Sequence, residues 1–145
     1  MSERGPAVAE RLRAAGSRVT GQRLAVADAL ALARRPQSAE ELWRRLRARH
    51  PGIGRATVFR TLEALVAADV ARRFEPEGHA STYVACRPGH HHHLVCTECG
   101  SVSEIGEAYV SPLADRVARD TGFVVDDARI DFYGCCAGCG GRRRA

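Results

Sequence analysis

Apolar residues recur at helical spacing through the first 69 positions and then at a spacing of two, which predicts helices followed by strands. Residues 8–15 are rich in good helix formers and end at Gly16, a natural helix terminator. Thr20 can cap a second helix extending to about residue 33. Its Leu24, Ala27, Leu30 and Ala31 form a core stripe, and Pro36 closes it off. Ser38-Ala39-Glu40-Glu41 reads as a capping box. Leu42, Trp43 and Leu46 supply the buried face of a third helix that reaches His50 and stops before Pro51-Gly52. A fourth helix is expected over residues 55–69, with Val58, Leu62, Leu65 and Val66 on one side. Ala56, Thr57, Arg60 and Glu63 project on the other, with Phe59 at the margin.

Period two then takes over in residues 70–74 and 81–86, separated by the polar turn Glu75-Pro76-Glu77-Gly78-His79, which predicts a β-hairpin. Helices followed by such a wing make a winged helix-turn-helix domain. Arg87-Pro88-Gly89 interrupts the strand pattern, so we divide the chain into a DNA-binding domain over 1–86, a hinge over 87–89 and a metal-binding domain over 90–145. In the second domain, strands at 93–95 and 101–105 flank a metal knuckle. A helix then runs from Val110-Ser111-Pro112 to about Thr121, with Leu113, Val117 and Ala118 inward. Gly122 ends this helix, and Ala128, Ile130 and Phe132 alternate along a last strand. The tail from Gly140 to Arg144 is expected to be disordered. The fold class is α+β: an N-terminal winged helix followed by a small C-terminal α/β domain.

Charge changes the picture because it is unevenly placed. All 22 Lys+Arg positions are arginine; residues 1–73 carry a net +8 and residues 74–145 a net −3, which together make the +5 of the whole chain. The N-terminal half is therefore the one suited to a polyanion. On the fourth helix, Arg55, Ala56, Thr57, Phe59 and Arg60 form the candidate DNA-reading face. Small residues permit close approach, Arg60 can reach a phosphate or a guanine edge, and Phe59 can touch a thymine methyl. Arg44, Arg45, Arg47 and Arg49 on the third helix fit either DNA contact or a solvated surface. No apolar run is long enough to span a bilayer, and Met1 to Gly16 lacks a secretory segment, so a soluble cytoplasmic protein is expected.

Six cysteines in a reducing compartment point to metal rather than disulfides. Cys96-x-x-Cys99 and Cys136-x-x-Cys139 supply four thiolates, the donor set of a closed tetrahedral Zn²⁺ site that is structural rather than catalytic. Cys135 could compete, but the shared spacing favours Cys136. Ahead of these lies His90-His91-His92-His93, where strand alternation sends His91 and His93 to one face and His90 and His92 to the other. The nearest soft donor to the first pair is Cys86, and a Cys86–His91–His93 site would join the wing to the second domain. Its fourth ligand is open among Glu104, His79, Glu75 and Glu77.

Taken together, Ser38-Ala39-Glu40-Glu41-Leu42, Gly54-Arg55-Ala56-Thr57-Val58-Phe59-Arg60-Thr61-Leu62, the run from His90 to Gly100, and Tyr133-Gly134-Cys135-Cys136-Ala137-Gly138-Cys139 resemble the ferric uptake regulator family over nearly the whole chain. The resemblance implies a homodimer whose C-terminal domain is the dimerisation domain, and whose metal-loaded form binds a palindromic double-stranded DNA operator and represses metal-uptake genes. It assigns the structural zinc to Cys96, Cys99, Cys136 and Cys139, and the regulatory hinge site to His91, His93 and Cys86. Cys86 stands where zinc-sensing members have a cysteine and iron-sensing members a carboxylate, which favours Zn²⁺ over Fe²⁺ or Mn²⁺. Glu104 matches a hinge carboxylate of some members. Arg72 stands where zinc sensors often have an acid, and Phe59 replaces a common tyrosine.

A further family site matches His90 and His92, but its other positions fall on Ser111 and Ala128. The site is therefore expected to be weak or lost unless Glu107 or Asp127 substitutes. Iron or peroxide sensing is the alternative within the family, and zinc buffering or metal carriage the alternative outside it. The chain is not expected to be an enzyme or to take a small organic substrate. A zinc hydrolase or deaminase needs an open coordination position and a His-x-Glu before the cysteine pair, and the sequence has no such motif.

Overall fold

Four helices build the first half: α1 (Arg4–Ala14), α2 (Gly21–Ala31), α3 (Ala39–Leu46) and α4 (Arg55–Ala67). The computed structural model describes residues 4–75, 80–86 and 91–143, leaving aside the side chains of Arg4, His91 and residues 141–143. The expected turn residues Pro76 to His79 and the hinge with His90 lie outside the described residues. The chain forms two units, Met1–Pro88 and Gly89–Ala145, each described by itself below.

The helix boundaries follow from local chemistry. Thr20 Oγ1 accepts the Arg23 N–H at 3.2 Å to start α2. Ser38 and Glu41 cap α3 reciprocally: Ser38 Oγ accepts from Glu41 N at 3.2 Å, and Glu41 Oε2 accepts from Ser38 N at 2.8 Å. α3 is shorter than the sequence pattern predicts. After Leu46 the chain makes a turn, with His50 N–H on Leu46 O at 2.8 Å, because Pro51 disfavours helical geometry in the residue before it. α4 also stops early, at Ala67. Asp69 takes a left-handed φ of 53°, and Val70 N–H reaches Leu65 O at 2.8 Å, a Schellman-type ending built on Asp instead of Gly.

Leu12, Val26, Leu30, Leu42, Val58, Leu62, Leu65 and Tyr83 fill one core between these helices and the wing. The wing comprises β1 (Gln37–Ser38), β2 (Ala71–Phe74) and β3 (Thr82–Ala85), in the order β1-β3-β2 and antiparallel throughout. β1 was not expected. Ser38 both caps α3 and pairs with Thr82, so a stretch whose sequence reads only as a helix start is also the third strand of the wing.

The second unit is a three-stranded sheet, β4 (His91–Cys96), β5 (Val102–Gly106) and β6 (Asp131–Gly134), ordered β5-β4-β6. β4 runs antiparallel to β5 and parallel to β6. Between β5 and β6 lie a single 3-10 turn (Glu107–Tyr109) and α5 (Ser111–Thr121), which ends at Gly122 in the left-handed region.

Two expectations are corrected here. Leu113 and Val117 do not face a core: they are 51% and 40% exposed, because among the described residues of this unit no second layer covers that side of α5. The tail is helical through its described part, as α6 (Ala137–Arg143). The cysteine turn supplies its nucleus, with Cys139 N–H and Gly140 N–H both on Cys136 O, at 3.0 and 2.8 Å. No helix among the described residues is long and apolar enough to cross a membrane.

Candidate metal centres and nucleic-acid interface

The end of β4 and the start of α6 bring four thiols together. The ligand atoms of Cys96, Cys99, Cys136 and Cys139 all lie within 4.8 Å of one another. Cys99 Sγ and Cys136 Sγ are 3.8 Å apart. A Zn–S bond of about 2.3 Å sets the edge of a tetrahedron of sulfurs at roughly 3.8 Å, so the cluster has the size of a four-thiolate site.

Local backbone structure produces this geometry. Gly100 takes a φ of 69° and its N–H returns to Cys96 O at 2.9 Å, closing the first knuckle with a conformation that a side chain would disfavour. Thr97 N–H binds Gly134 O at 2.8 Å and ties that knuckle to the strand leading into the second cysteine pair. The site is also prepared electrostatically. The backbone N–H of Cys136, 3.3 Å from Cys96 Sγ, and that of Cys99 lower the Cys96 thiol to about 6. Ser101, whose hydroxyl is 3.2 Å from Cys99 Sγ, lowers Cys99. Cys135 is exposed and turns its Sγ to Cys136 O, 3.8 Å away.

The residues expected at the hinge are distributed over both units. Cys86 follows β3, half-buried, with its N–H on Val70 O at 2.8 Å. His91 pairs with Gly106 along the backbone, and its side chain lies outside the described set, as do His79, Glu77 and His90. Glu75 forms an ion pair with Arg73 at 2.9 Å. Glu104 is the register partner of His93 across the β4–β5 ladder and is exposed.

His93 is buried. Its Nδ1 is 3.3 Å from Oδ1 of Asp131, a residue that sequence reasoning passed over. Asp131 reads as an ordinary polar position on an alternating strand, and the only signal that could have singled it out is the parallel register that pairs it with His93.

His92, on the opposite face, is equally buried, and both of its ring nitrogens meet protein groups. Nδ1 accepts from Ile130 N–H at 3.3 Å, and Nε2 lies 3.0 Å from Glu107 Oε2. With Nδ1 accepting, a neutral ring carries its proton on Nε2 and donates it to Glu107. Asp127, the other carboxylate considered there, pairs with Arg129 at 2.9 Å.

In the first unit, α4 presents Arg55, Ala56, Phe59 and Arg60 to solvent, with Thr57 half-buried and Phe59 52% exposed. Arg55 is held in place. It pairs with Glu40 at 3.2 Å and lies 4.4 Å over the Trp43 ring, while Trp43 Nε1–H donates to Ile53 O at 3.2 Å. This fixes the start of α4 against α3. Arg60 is exposed, and its Nε donates to the Ala56 carbonyl of its own helix at 3.3 Å. Glu63 turns instead to the wing, where Tyr83 Oη donates to it at 3.2 Å and Arg73 pairs with it at 3.4 Å. On α3 and at its C-cap, Arg44 pairs with Glu40, Arg45 donates to Gln37 and Arg47 lies over Trp43, so these three arginines have partners within the domain.

Similarity to known proteins follows the same plan. The sequence model of the Ferric uptake regulator family matches residues 14–133. The ferric uptake regulation protein of Bacillus subtilis is 38% identical over 108 residues, covering 72% of each chain. The transcriptional regulator FurA of Mycobacterium tuberculosis is 33% identical over 134 residues, covering 92% of this chain and 90% of its own. Among solved structures, a zinc uptake regulator complexed with zinc and DNA superposes with a TM-score of 0.63 at 26% identity, covering 100% of both chains. The winged helix and the α/β unit that follows it are thus matched by sequence and by fold, and the chain belongs to the ferric uptake regulator family of metal-responsive transcriptional regulators.

Proposed function

We propose that the protein is a zinc-responsive repressor that acts as a homodimer in the cytoplasm on a palindromic operator of metal-uptake genes. In this reading residues 1–86 bind DNA, residues 87–89 are the hinge and residues 90–145 hold metal and dimerise. Cys96, Cys99, Cys136 and Cys139 hold a structural Zn²⁺ that fixes the second unit. Cys86, His91 and His93 form the regulatory site, with Glu104 or His79 completing it. His90 and His92 are at most a weak third site, since His92 is engaged by Glu107 and by the Ile130 backbone. Arg55, Ala56, Thr57, Phe59 and Arg60 are the DNA-reading set, with Arg60 the main contact.

The observation that carries zinc over iron is Cys86, a thiol at the end of the wing where a borderline-soft cation is favoured over a harder one. The dimer is supported by the uncovered apolar side chains of Tyr109, Leu113, Val117, Phe123 and Phe132, too many for a solvated surface of so small a unit. Iron sensing is the second reading, favoured by relatives named for ferric uptake regulation. Peroxide sensing would show as an added oxygen on His91 or His93 by mass spectrometry after exposure to Fe²⁺ and peroxide.

Fluorescence anisotropy on operator DNA tests the proposal, with the structural site kept loaded and Zn²⁺, Fe²⁺ or Mn²⁺ then added at buffered free concentrations. Zinc should raise affinity at the lowest free concentration. Equal affinity with and without any of the three metals would rule out the switch.

A further inference from the structure

One row of the second unit's sheet carries three chemically active residues side by side. His93 pairs in register with Glu104 on β5 and with Asp131 on β6, so the imidazole stands between two carboxylate positions on neighbouring strands. The two flanks differ in setting. Glu104 is exposed, whereas the Asp131 side chain is only 16% accessible and that of His93 2%. A carboxylate so withdrawn from water interacts with a neighbouring imidazole more strongly than an exposed one. His93 turns its Nδ1 edge to it, at 3.3 Å from Oδ1.

A neutral imidazole has one N–H and one lone pair, so whatever fixes one nitrogen decides what the other can do. A carboxylate facing Nδ1 selects the tautomer with the proton on Nδ1 and leaves the Nε2 lone pair for a cation. At 3.3 Å the pair is an ion-pair contact within the distance range of a hydrogen bond. The same unit contains an internal contrast. On the opposite face of β4, His92 takes its backbone hydrogen bond on Nδ1 and turns Nε2 to Glu107, so it has the reverse arrangement and no lone pair left for a metal.

We propose that Asp131 is a positioning residue of the regulatory metal site: its carboxylate holds the Nδ1–H of His93 and so presents Nε2 as the ligating nitrogen. This rests on the reading of His93 as a sensor ligand given above. Removing a partner that orients a ligating histidine typically costs about 10- to 100-fold in metal affinity.

The test uses the full chain with its structural site loaded. Co²⁺ is titrated into the wild type and the Asp131→Ala, Asp131→Asn and His93→Ala variants, with visible absorbance reporting occupancy. Long-range ¹H–¹⁵N spectra report the His93 tautomer. Asp131→Ala should weaken Co²⁺ binding at the regulatory site by about 10- to 100-fold and mix the His93 tautomers. Asp131→Asn, whose amide oxygen still accepts a hydrogen bond, should recover part of both, and the structural zinc content should stay at one per chain in each variant. Wild-type affinity in both Asp131 variants, with binding lost in His93→Ala, would overturn the role of Asp131 while leaving the sensor site standing. Wild-type affinity in His93→Ala would overturn the sensor reading and the positioning role with it. Loss of structural zinc in both Asp131 variants would mark the residue as part of the fold and overturn the proposal.

Discussion

The two units reach their structures by different means. The first encloses a continuous apolar core in which Leu12, Val26, Leu42, Val58, Leu62 and Leu65 are fully buried. In the second, the buried residues among those described are Val95, Cys96, Val110 and Cys139 with the two histidines His92 and His93. Four of these six buried residues are thus cysteine or histidine, while several of the unit's larger apolar side chains remain at the surface. Each buried aliphatic side chain contributes on the order of 1.5–3 kcal/mol, so the first unit has many such contributions to offset its chain entropy and the second has few. The difference separates a unit held by an extensive apolar core from one whose apolar core is small and whose interior is mostly cysteine and histidine.

The largest effect that would sharpen this contrast is loss of the thiolate cluster. Cys136→Ser, or stripping with a strong chelator, should unfold the second unit and leave the first folded, because metal binding and folding are a single equilibrium in small metal-stapled units. Apparent zinc contributions there run to about 10–16 kcal/mol. Hydrogen exchange resolved by peptide should show protection lost over β4, β5 and β6 and retained over α2 and α4. If protection persists in both units, the second unit has a sufficient core of its own and the comparison breaks down.

Next in size comes the converse change. Leu62→Ala, at a fully buried position on α4, should destabilise the first unit by about 2–5 kcal/mol in urea unfolding and leave the metal content of the second unchanged. Leu113→Arg, on the uncovered face of α5, should by contrast cost the isolated chain less than about 0.5 kcal/mol. It should instead shift sedimentation from dimer to monomer. Large destabilisation by Leu113→Arg without a change in assembly would mean that α5 packs inward after all.

The contrast also explains what was legible in the sequence. Elements of the first unit could be read because each buried stripe is local: Val58, Leu62 and Leu65 declare α4, and Ser38 with Glu41 declares the start of α3. The thiolate cluster was legible for a different reason, since two identical spacings far apart in the chain need each other to complete four ligands. What remained hidden depends on pairing between distant segments. Nothing local in Gln37-Ser38 says that it is a strand, because its ladder partner is Tyr83 and Thr82 on the far side of two helices. Asp131 has no significance until the parallel register sets it beside His93. The exposed α5 face was misread for the same reason: an amphipathic pattern shows which side of a helix seeks cover and not whether its own chain provides it.

The smallest effect concerns how the first unit closes its helix ends without outside help. α3 begins with a complete capping box, whereas α5 in the second unit begins at Val110 with no side-chain cap. Ser38→Ala should therefore cost about 1 kcal/mol in the first unit, visible as a lower urea midpoint with an unchanged slope. The same contact carries a pH signature. The backbone N–H of Ser38, helped by the side chains of Arg35 and Ser38, holds the Glu41 carboxyl below its ordinary value of 4.5. A carboxyl with a depressed folded value contributes stability above its unfolded value and loses it as the pH falls through the folded one. The wild type should thus lose a small increment of first-unit stability on acidification below about pH 4.5 that Glu41→Gln does not lose, since the amide oxygen still accepts from Ser38 N–H but does not titrate. Parallel stability curves for wild type and Glu41→Gln across that range would show that the box contributes through geometry alone.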